Sequence, residues 1–377
     1  MSEMMIRVSE VKLGNSKSAD EALSGALELL RQLYNAALEE RIESWRTRRK
    51  FITGYDQQKS LTIIRQQDDA YAALSCHMTR LTVIRRLDFA FRNFFSRVKR
   101  GDKPGFPRFK GRDRFNTLVF EKGDGWRIEG KWLVVNSGSA WIRLRMKNSI
   151  HRRGEIRGLR LIKKLDRWWA HFVIDVDAPA LVKQSIRGIG IDVGLKVFAT
   201  LSNGEQIQHP KFLQTKVQKL AELQRRLESK TRRSNRYRKA KRDLALMHVK
   251  ISNQRKDFIH QTAAALVRKF DGFAVEDLDV QGLLVKKQEG RRGLRRGIMD
   301  SGWRYFARTL GDKAAEAGLP FVRVNPKGTT QQCSRCGTLV RKRLGDRMHD
   351  CDACGLVLDR DINAALNIYD RGLRSAP

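Results

Sequence analysis

The sequence lacks several features that would place it in a large class of proteins. It contains no apolar run long enough to span a bilayer, and its first residues lack the apolar core of a signal peptide. It also contains no internal repeat and no low-complexity segment. These absences argue against a membrane protein, a secreted precursor and a repeat architecture, so we expect a cytoplasmic protein without a membrane partner.

Cysteine is scarce and unevenly placed. The chain has five cysteines in 377 residues, which argues against a disulfide framework and for metal binding in a reducing compartment. Four of them form two Cys-x-x-Cys pairs on either side of residues 337–350: Cys333, Cys336, Cys351 and Cys354. This spacing is close to that of a four-thiolate zinc site, so we predict one structural Zn²⁺. The fifth, Cys76, lies in a helical pattern and is interpreted as a core or surface thiol.

Acidic residues are in deficit. The chain carries 76 Lys and Arg residues against 41 Asp and Glu residues, a formal net charge of +35. So strong a positive field favours a polyanionic partner, because a protein that neutralises phosphates releases their counterions. A basic surface kept for solubility, or association with ribosomes, is the alternative. The charge therefore indicates a protein that binds nucleic acid.

Hydrophobic periodicity divides the N-terminal half into three parts. We predict a first strand in residues 1–13, a helical lobe in 14–112 and further strands in 113–180, where the pattern changes to period two. Within the lobe, a capping box at residues 18–21 predicts one helix start, and residues 71–98 predict a second long helix. Together these parts predict a small barrel or strongly twisted sheet with an inserted helical lobe. Basic residues that face outward from this sheet beside aromatic residues would suit a surface that binds nucleic acid. The alternative is a structural sheet with a solvated face.

A second sheet is predicted to begin at Ile186. The pattern then predicts a helical hairpin in 211–270, a short strand in 273–276 and a basic glycine-rich loop in 286–296. The elbow of the hairpin is intensely basic. A charge run is often a solvated face, but this density leads us to predict phosphate contacts for Arg232, Arg233, Arg236, Arg238 and Lys239.

Three acidic residues occupy the ends of predicted elements. Asp192 ends the first strand of the second sheet, Glu276 ends a later strand, and Asp361 opens the final helix. Carboxylates are hard oxygen ligands that suit Mg²⁺. Two such ions about 3.5–4 Å apart would activate a water and stabilise the leaving oxygen in phosphodiester hydrolysis. A single acid at a strand end is usually a cap or a turn residue, so this hypothesis requires folding to bring all three together.

Four sequence motifs carry a family resemblance. They are Gly188-Ile-Gly-Ile-Asp192-Val-Gly, Ala274-Val-Glu276-Asp-Leu, Thr330-Gln-Gln-Cys-Ser-Arg-Cys-Gly337 and Asp359-Arg-Asp-Ile-Asn-Ala-Ala-Leu-Asn-Ile368. In these motifs the chain resembles the TnpB proteins, which are transposon-encoded, RNA-guided DNA endonucleases related to the type V CRISPR effectors. The resemblance is specific over residues 187–369 and softer in the N-terminal half, where residues 103–111 match the family's layout.

The resemblance implies a multidomain α+β/α/β protein. Its N-terminal β-barrel, or wedge, would carry an inserted helical recognition lobe. Residues 181–327, including the basic hairpin, would form an RNase H-like RuvC nuclease domain. Residues 328–358 would form an inserted zinc ribbon, and 359–377 the final RuvC helix and tail.

The resemblance also implies an activity and partners. Asp192, Glu276 and Asp361 would be catalytic and would bind two Mg²⁺ ions, with Mn²⁺ as a substitute, and cleavage would leave a 5′-phosphate. The partners would be a guide RNA and target double-stranded DNA, recognised next to a short flanking motif. We expect a monomer in complex with RNA, associated with the nucleoid of a prokaryote.

Two other functions stay open at this point. One is a nuclease-inactive, RNA-guided DNA-binding repressor, against which the three retained acids argue. The other is an unguided transposase or resolvase that uses the same acids for strand transfer. Asp277 and Asp359 are near neighbours of the acids, and we interpret them as residues that orient the backbone rather than bind metal.

Overall fold

The protein was analysed as a computed structural model that describes residues 4–14, 16–152, 154–180, 187–285, 292–343 and 345–374. The contacts divide the chain into two compact units. The described part of the N-terminal unit ends at Asp177, and that of the C-terminal unit begins at Ala178. None of the described helices combines the length and the apolar character needed to cross a bilayer.

The N-terminal unit contains a seven-stranded antiparallel sheet. Its strands are β1 (Met4–Gly14), β2 (Thr117–Glu121), β3 (Trp126–Glu129), β4 (Trp132–Asn136), β5 (Trp141–Met146), β6 (Glu155–Lys164) and β7 (Arg167–Asp177). Their order is β2-β6-β7-β1-β5-β4-β3. The edge strands β2 and β3 are consecutive in the chain, and across the turn that joins them the Trp126 indole donates a hydrogen bond of 2.6 Å to the Glu121 carbonyl oxygen. The sheet is therefore barrel-like and nearly closed, and the predicted N-terminal strand lies at its centre.

The helices of this unit lie between β1 and β2 in the chain. They are α1 (Lys17–Arg48), α2 (Gly54–Gln67), α3 (Asp69–Ala72), α4 (Cys76–Thr79) and α5 (Arg85–Lys99), with a π-helical turn at Arg80–Ile84. Helix α1 is capped by Ser16, which accepts from Ala19 N at 3.2 Å, rather than by the predicted capping box. Leu23, Leu30 and Leu38 of α1 are fully buried in one core with Trp168 and Phe172 of β7.

The second long helix predicted over residues 71–98 is wrong as a continuous element. The chain breaks at Ser75, whose hydroxyl accepts a hydrogen bond of 3.2 Å from Met78 N and begins a new helix. The π-helical turn at Arg80–Ile84 then precedes α5. The apolar residues keep a spacing of three and four on both sides of Ser75. Periodicity alone therefore does not detect the N-cap at which one helix ends and the next begins.

The C-terminal unit contains a five-stranded mixed sheet. Its strands are β8 (Gly188–Val193), β9 (Val197–Leu201), β10 (Gln206–Gln208), β11 (Gly272–Glu276) and β12 (Phe321–Val324), in the order β10-β9-β8-β11-β12. Strands β8, β9 and β10 pair antiparallel, whereas β8, β11 and β12 pair parallel. Phe198, Phe273 and Phe306 are fully buried in the core beside this sheet.

Helices pack around this sheet. They are α6 (Val217–Glu228), α7 (Asn235–Lys269), α8 (Val280–Val285), α9 (Arg292–Ser301), α10 (Trp303–Glu316) and α11 (Arg360–Tyr369). Helices α6 and α7 form the predicted helical hairpin. A small hairpin of β13 (Met348–Cys351) and β14 (Leu356–Asp359) precedes α11. Residues 286–291 of the predicted glycine-rich loop lie outside the described residues, and α9 begins at Arg292 within that prediction.

Candidate active site and metal centre

Two of the three predicted acids stand at the same end of neighbouring parallel strands. Val275 of β11 pairs with Ile191 of β8, so Glu276 and Asp192 follow as the next residues on the two strands. The carboxyl ends of parallel strands in an open sheet are where ligand crevices form. The sheet therefore places these two carboxylates side by side.

The third acid is brought to the sheet by a helix that lies directly on a strand. Gly190 in β8 has no side chain, and a Cβ atom built on it would stand 2.1 Å from the Ala365 carbonyl oxygen of α11. Only glycine permits this approach. Asp361 occupies the first turn of α11, so the close packing carries its carboxylate to the same edge as Asp192.

The start of α11 is fixed by a neighbouring acid. The carboxylate of Asp359 accepts hydrogen bonds from Asp361 N at 2.8 Å and from Ile362 N at 3.2 Å. These are helix N-cap contacts, which satisfy amide groups that the helix leaves without partners. Asp359 therefore contacts the backbone as predicted, and its exclusion from metal binding stays a prediction. The carboxylate of Asp277 instead faces Arg323, with Nη1 and Oδ1 3.5 Å apart.

The charges of the other two acids act on Asp192, and burial acts on all three. Burial raises the pKa of Asp192 well above its ordinary value, and the charges of Glu276 and Asp361 raise it further. Burial also raises the pKa of Glu276, against the Thr329 hydrogen bond and the charge of Arg371. Burial, followed by the charge of Asp359, raises the pKa of Asp361. Mutually repelling carboxylates of this kind are stabilised by a cation between them.

Three polar residues that the sequence reasoning missed hold this site in place. The Thr329 hydroxyl lies 2.5 Å from Glu276 Oε1 and donates to it. The Asn367 amide donates to the carbonyl oxygens of Thr329 and Gln332, at 2.8 and 2.7 Å. The Asn363 amide also donates to Gln332, at 2.8 Å, while its oxygen accepts from Ser334 N at 3.0 Å. Helix α11 is thereby tied to the segment that positions Glu276.

A sequence signal for these asparagines was available. Asn363 and Asn367 lie four residues apart, so they share one helix face with the buried Ala364 and Ile368 beside them. An amide on a buried face must find hydrogen-bond partners. Polar residues at that spacing in an apolar helix therefore indicate a buried connection to another segment.

A cavity opens beside Glu276. Arg304 and Arg323 line it together with Trp303, and its remaining walls are largely apolar. Both arginines are exposed at its edge. This combination of guanidinium groups next to the carboxylates suits an anionic group that approaches the acids.

The four paired cysteines converge on one point. Their Sγ atoms all lie within 4.8 Å of one another, and the Cys333–Cys354 and Cys336–Cys351 pairs are 3.6 Å apart. A tetrahedron with Zn–S bonds of about 2.3 Å has sulfur atoms roughly 3.8 Å apart, so these thiols fit a zinc ion.

The two Cys-x-x-Cys turns share one backbone design. Gly337 N donates to the Cys333 carbonyl oxygen at 2.9 Å, and Gly355 N donates to that of Cys351 at 2.7 Å. Both glycines have φ in the left-handed region, at 78° and 69°, where a side chain would be strained. The repeated turn aims each pair of thiols at the same centre.

The five basic residues predicted to contact phosphates lie at the elbow between α6 and α7. Arg232, Arg233, Arg236, Arg238 and Lys239 are all exposed. Ser234 caps α7 by accepting a hydrogen bond of 3.0 Å from Tyr237 N. The elbow therefore presents its positive charge to solvent, and phosphate contact by these residues stays a prediction.

Comparisons with known proteins agree with the motifs. A family model described as "Probable transposase" matches residues 171–286, and one described as "Cas12f1-like, TNB domain" matches residues 303–368. "Putative RNA-guided DNA endonuclease InsQ" of Escherichia coli (strain K12) is 29% identical over 300 residues, which cover 77% of this chain and 73% of the relative. A Streptomyces pristinaespiralis protein named "Putative RNA-guided DNA endonuclease" is 28% identical over 358 residues, covering 94% and 86%.

Solved structures share the fold. The Cas12f1 chain in a complex with sgRNA and target DNA has a TM-score of 0.60 at 15% identity, over 97% of this chain and 98% of that chain. The chain of the mini-RNA-guided endonuclease CRISPR-Cas_phi3 has a TM-score of 0.50 at 10% identity, over 99% and 93%.

The fold thus defines a mixed helix and sheet protein of the Cas12f type. The family matches and the curated relatives show that the chain is similar to TnpB proteins and to putative RNA-guided DNA endonucleases. The resemblance seen in the four motifs is confirmed.

Proposed function

We propose that this protein is an RNA-guided DNA endonuclease that hydrolyses phosphodiester bonds at Asp192, Glu276 and Asp361. The observation that carries the proposal is the convergence of three carboxylates, from two parallel strands and a helix start, at one sheet edge. The names of the Escherichia coli and Streptomyces relatives support the activity.

The donor set fits two Mg²⁺ ions, or Mn²⁺ in their place. Three carboxylates, of which Asp192 has a pKa raised by burial and by the charges of Glu276 and Asp361, provide hard oxygen ligands and a net negative charge. When bound, such ions supply an activated water and stabilisation of the leaving oxygen. The residues around them have orienting roles. Thr329 orients the Glu276 carboxylate, Asp359 fixes the helix that carries Asp361, and Arg347 Nη1 stands 3.7 Å from Asp361 Oδ2.

The remaining predicted parts belong to the same proposal. The C-terminal unit is an RNase H-like RuvC domain, supported by a sheet in which three antiparallel strands continue into two parallel ones. Residues 328–358 form a zinc ribbon, supported by the four converging thiols. The barrel-like sheet is the wedge, and its helices are the recognition lobe.

The proposed partners are a guide RNA and target double-stranded DNA. The net charge of +35 supports both. Base pairing with the guide would select the target, and the protein would read a short flanking motif. The working form is a monomer with RNA, associated with the nucleoid of a prokaryotic cell.

The first experiment is to express the chain from its native locus and sequence the RNA that copurifies. We expect one abundant RNA with a fixed scaffold and a variable end, which identifies the target for a cleavage assay. The absence of any discrete RNA would contradict guided recognition and favour an unguided transposase or resolvase.

The cleavage assay then tests the acids. Asp192→Ala is expected to abolish cutting in Mg²⁺ while RNA binding is retained. Asp277→Asn is the matched control, because Asp277 follows Glu276 directly but faces Arg323, and it should keep cutting. Cutting by Asp192→Ala at the wild-type rate would refute the assignment. Target protection without scission by the wild-type protein would identify an inactive guided repressor.

A further inference from the structure

Five phenylalanine rings form one continuous cluster on the helical part of the N-terminal unit. The ring of Phe95 has its centroid 6.4 Å from that of Phe51, 6.3 Å from that of Phe91 and 5.2 Å from that of Phe94. The ring of Phe106 lies 5.7 Å from Phe91 and 5.3 Å from Phe94. The cluster therefore joins α5 to the segments that precede α2 and follow α5.

The cluster has a buried floor and an open face. Phe91 is only 8% exposed and belongs to the hydrophobic core of the unit. In contrast, Phe51, Phe95 and Phe106 leave 51%, 49% and 48% of their surface exposed. Contiguous exposed apolar surface of this kind marks an interaction site, because water contact with large rings is unfavourable. The buried Phe91 ring packs against Phe95 and Phe106, and Phe95 connects Phe51 to them.

The surroundings of the open face are positively charged. The Arg97 guanidinium lies beside the backbone next to Phe106, because a Cβ atom built on Gly105 would stand 3.6 Å from Arg97 Nη1. Lys50 and Arg108, adjacent in sequence to Phe51 and close to Phe106, are also exposed. A second copy of the chain would bring the same positive charges against this face, which is unfavourable. The occupant must therefore be anionic and must offer flat apolar surfaces.

We propose that Phe51, Phe95 and Phe106 stack on unpaired nucleobases of a bound strand, with Arg97 at its phosphates. Every nucleobase has a π face, so stacking of this kind tolerates any sequence. The surface would therefore bind a single-stranded segment without discriminating between base sequences. This inference depends on the nucleic acid partner of the proposed function, but it is independent of cleavage.

The test measures strand binding by the full-length chain in the absence of divalent ions. The variant Phe51→Leu/Phe95→Leu/Phe106→Leu keeps the apolar volume but removes the π faces. We expect it to bind short oligo-uridine and oligo-thymidine at least about five-fold more weakly than wild type, as loss of base stacking predicts. A strand of the same length built from abasic nucleotides should bind both proteins equally. The strand type with the larger loss identifies RNA or DNA as the ligand.

The salt dependence of strand binding distinguishes the contribution of base stacking from that of phosphate contacts. The triple variant should keep the wild-type slope of log K against log salt concentration, because it removes no charge. Arg97→Gln should flatten that slope and weaken abasic strands as well. Phe89→Leu is the matched control, since Phe89 is 52% exposed on the same helix but lies under Arg92, 5.3 Å from its ring centroid. It should bind like wild type.

Three results would overturn the inference. They are unchanged oligonucleotide binding by the triple variant, an equal loss of affinity for the abasic strand, or a wild-type dimer that the triple variant converts to a monomer in sedimentation. Failure of the wild-type protein to bind any strand would contradict the proposed function instead. The two failures are therefore distinguishable.

Discussion

Gly190 and Ala365 are in direct backbone contact: a Cβ atom on Gly190 would stand 2.1 Å from the Ala365 carbonyl oxygen and 2.6 Å from Tyr369 N. Asp192 is the next-to-last residue of strand β8, and Asp361 is the second residue of helix α11. The contact between these two elements therefore determines the distance between Asp192 and Asp361. A glycine two residues before Asp192 on the same strand thus controls the geometry of the acids.

Gly190→Ala is expected to push α11 away from β8. Overpacking of a close contact costs about 1–3 kcal/mol, and here it also separates Asp361 from Asp192. We expect a lower midpoint in chemical denaturation together with a loss of cleavage much larger than the loss of folded protein.

Gly293→Ala is the control for that substitution. Gly293 lies in α9 and has nothing within 4 Å of the position its Cβ would take. It should be neutral or stabilising by about 0.5–1 kcal/mol, because alanine restricts the unfolded chain and favours the helix. A Gly190→Ala protein that cuts at the wild-type rate would show that the contact does not set the site.

Thr329→Val tests the hydrogen bond to Glu276. Valine has the same shape but cannot donate, and the hydrogen bond from Thr329 lowers the pKa of Glu276. Its loss should raise that pKa, so Glu276 would be protonated and unable to bind metal at a higher pH than in wild type. We expect the acidic limb of the pH–rate profile to move to higher pH while the plateau rate changes little. A uniform drop in rate with an unmoved limb would indicate a purely structural role.

The positions of the three acids at element ends were easier to predict than the residues that hydrogen-bond around them. Asp192, Glu276 and Asp361 were proposed from element ends, which the period of the apolar residues makes visible. Thr329, Asn363 and Asn367 act across more than thirty residues of chain. Tertiary packing decides which groups form hydrogen bonds across such separations. A single sequence therefore indicates only that a polar residue lies on a buried face, and not which group it contacts.

The fold was predictable to a similar extent. Apolar residues change from a helical spacing of three and four to an alternating spacing of two, and this change located the barrel-like sheet. The spacing of the cysteines located the thiol cluster. The break at Ser75 was missed, because apolar positions on both sides of it kept the helical spacing. The aromatic cluster was also missed as a surface, since a sequence pattern shows that phenylalanines recur but not that three of them are half exposed.

Cys351→Ser tests the metal centre. Cys351 is fully buried within the thiol cluster, and a structural zinc site contributes folding energy directly. We expect wild-type protein to carry one zinc per chain by elemental analysis, and the variant to carry less and to unfold at lower temperature. Cys76→Ser is the control, because Cys76 is exposed and lies in the N-terminal unit. Wild-type protein free of zinc after purification without chelators would contradict the assignment.

His209 should make the C-terminal unit sensitive to mild acid. Its Nδ1 accepts a hydrogen bond of 2.9 Å from Lys211 N, and its Nε2 lies 3.0 Å from the buried hydroxyl of Ser301. Nδ1 must lose its proton to accept, so the ring is held in the neutral form.

Burial lowers the pKa of His209, the charge of Asp300 opposes this, and the charges of Lys211 and Arg255 add to it. The unfolded chain, with an ordinary histidine pKa of about 6.5, therefore binds a proton at a pH where the folded chain does not. The contribution of His209 to the free energy of unfolding is complete above the unfolded-state pKa of about 6.5. It is lost as the pH falls from there through the lower pKa of the folded chain. We expect denaturant midpoints to fall between neutral pH and pH about 5, in the range where histidine titrates.

His209→Gln removes the titrating group but keeps a side chain that can hydrogen-bond. The variant should be less stable than wild type at neutral pH, because it replaces a buried and partnered ring, and its midpoints should vary less between neutral and mildly acidic pH. His248→Gln provides the comparison, because His248 also lies in the C-terminal unit but is exposed on α7, so its replacement removes no buried contact. An equal acid response in wild type and His209→Gln would show that another group controls the transition.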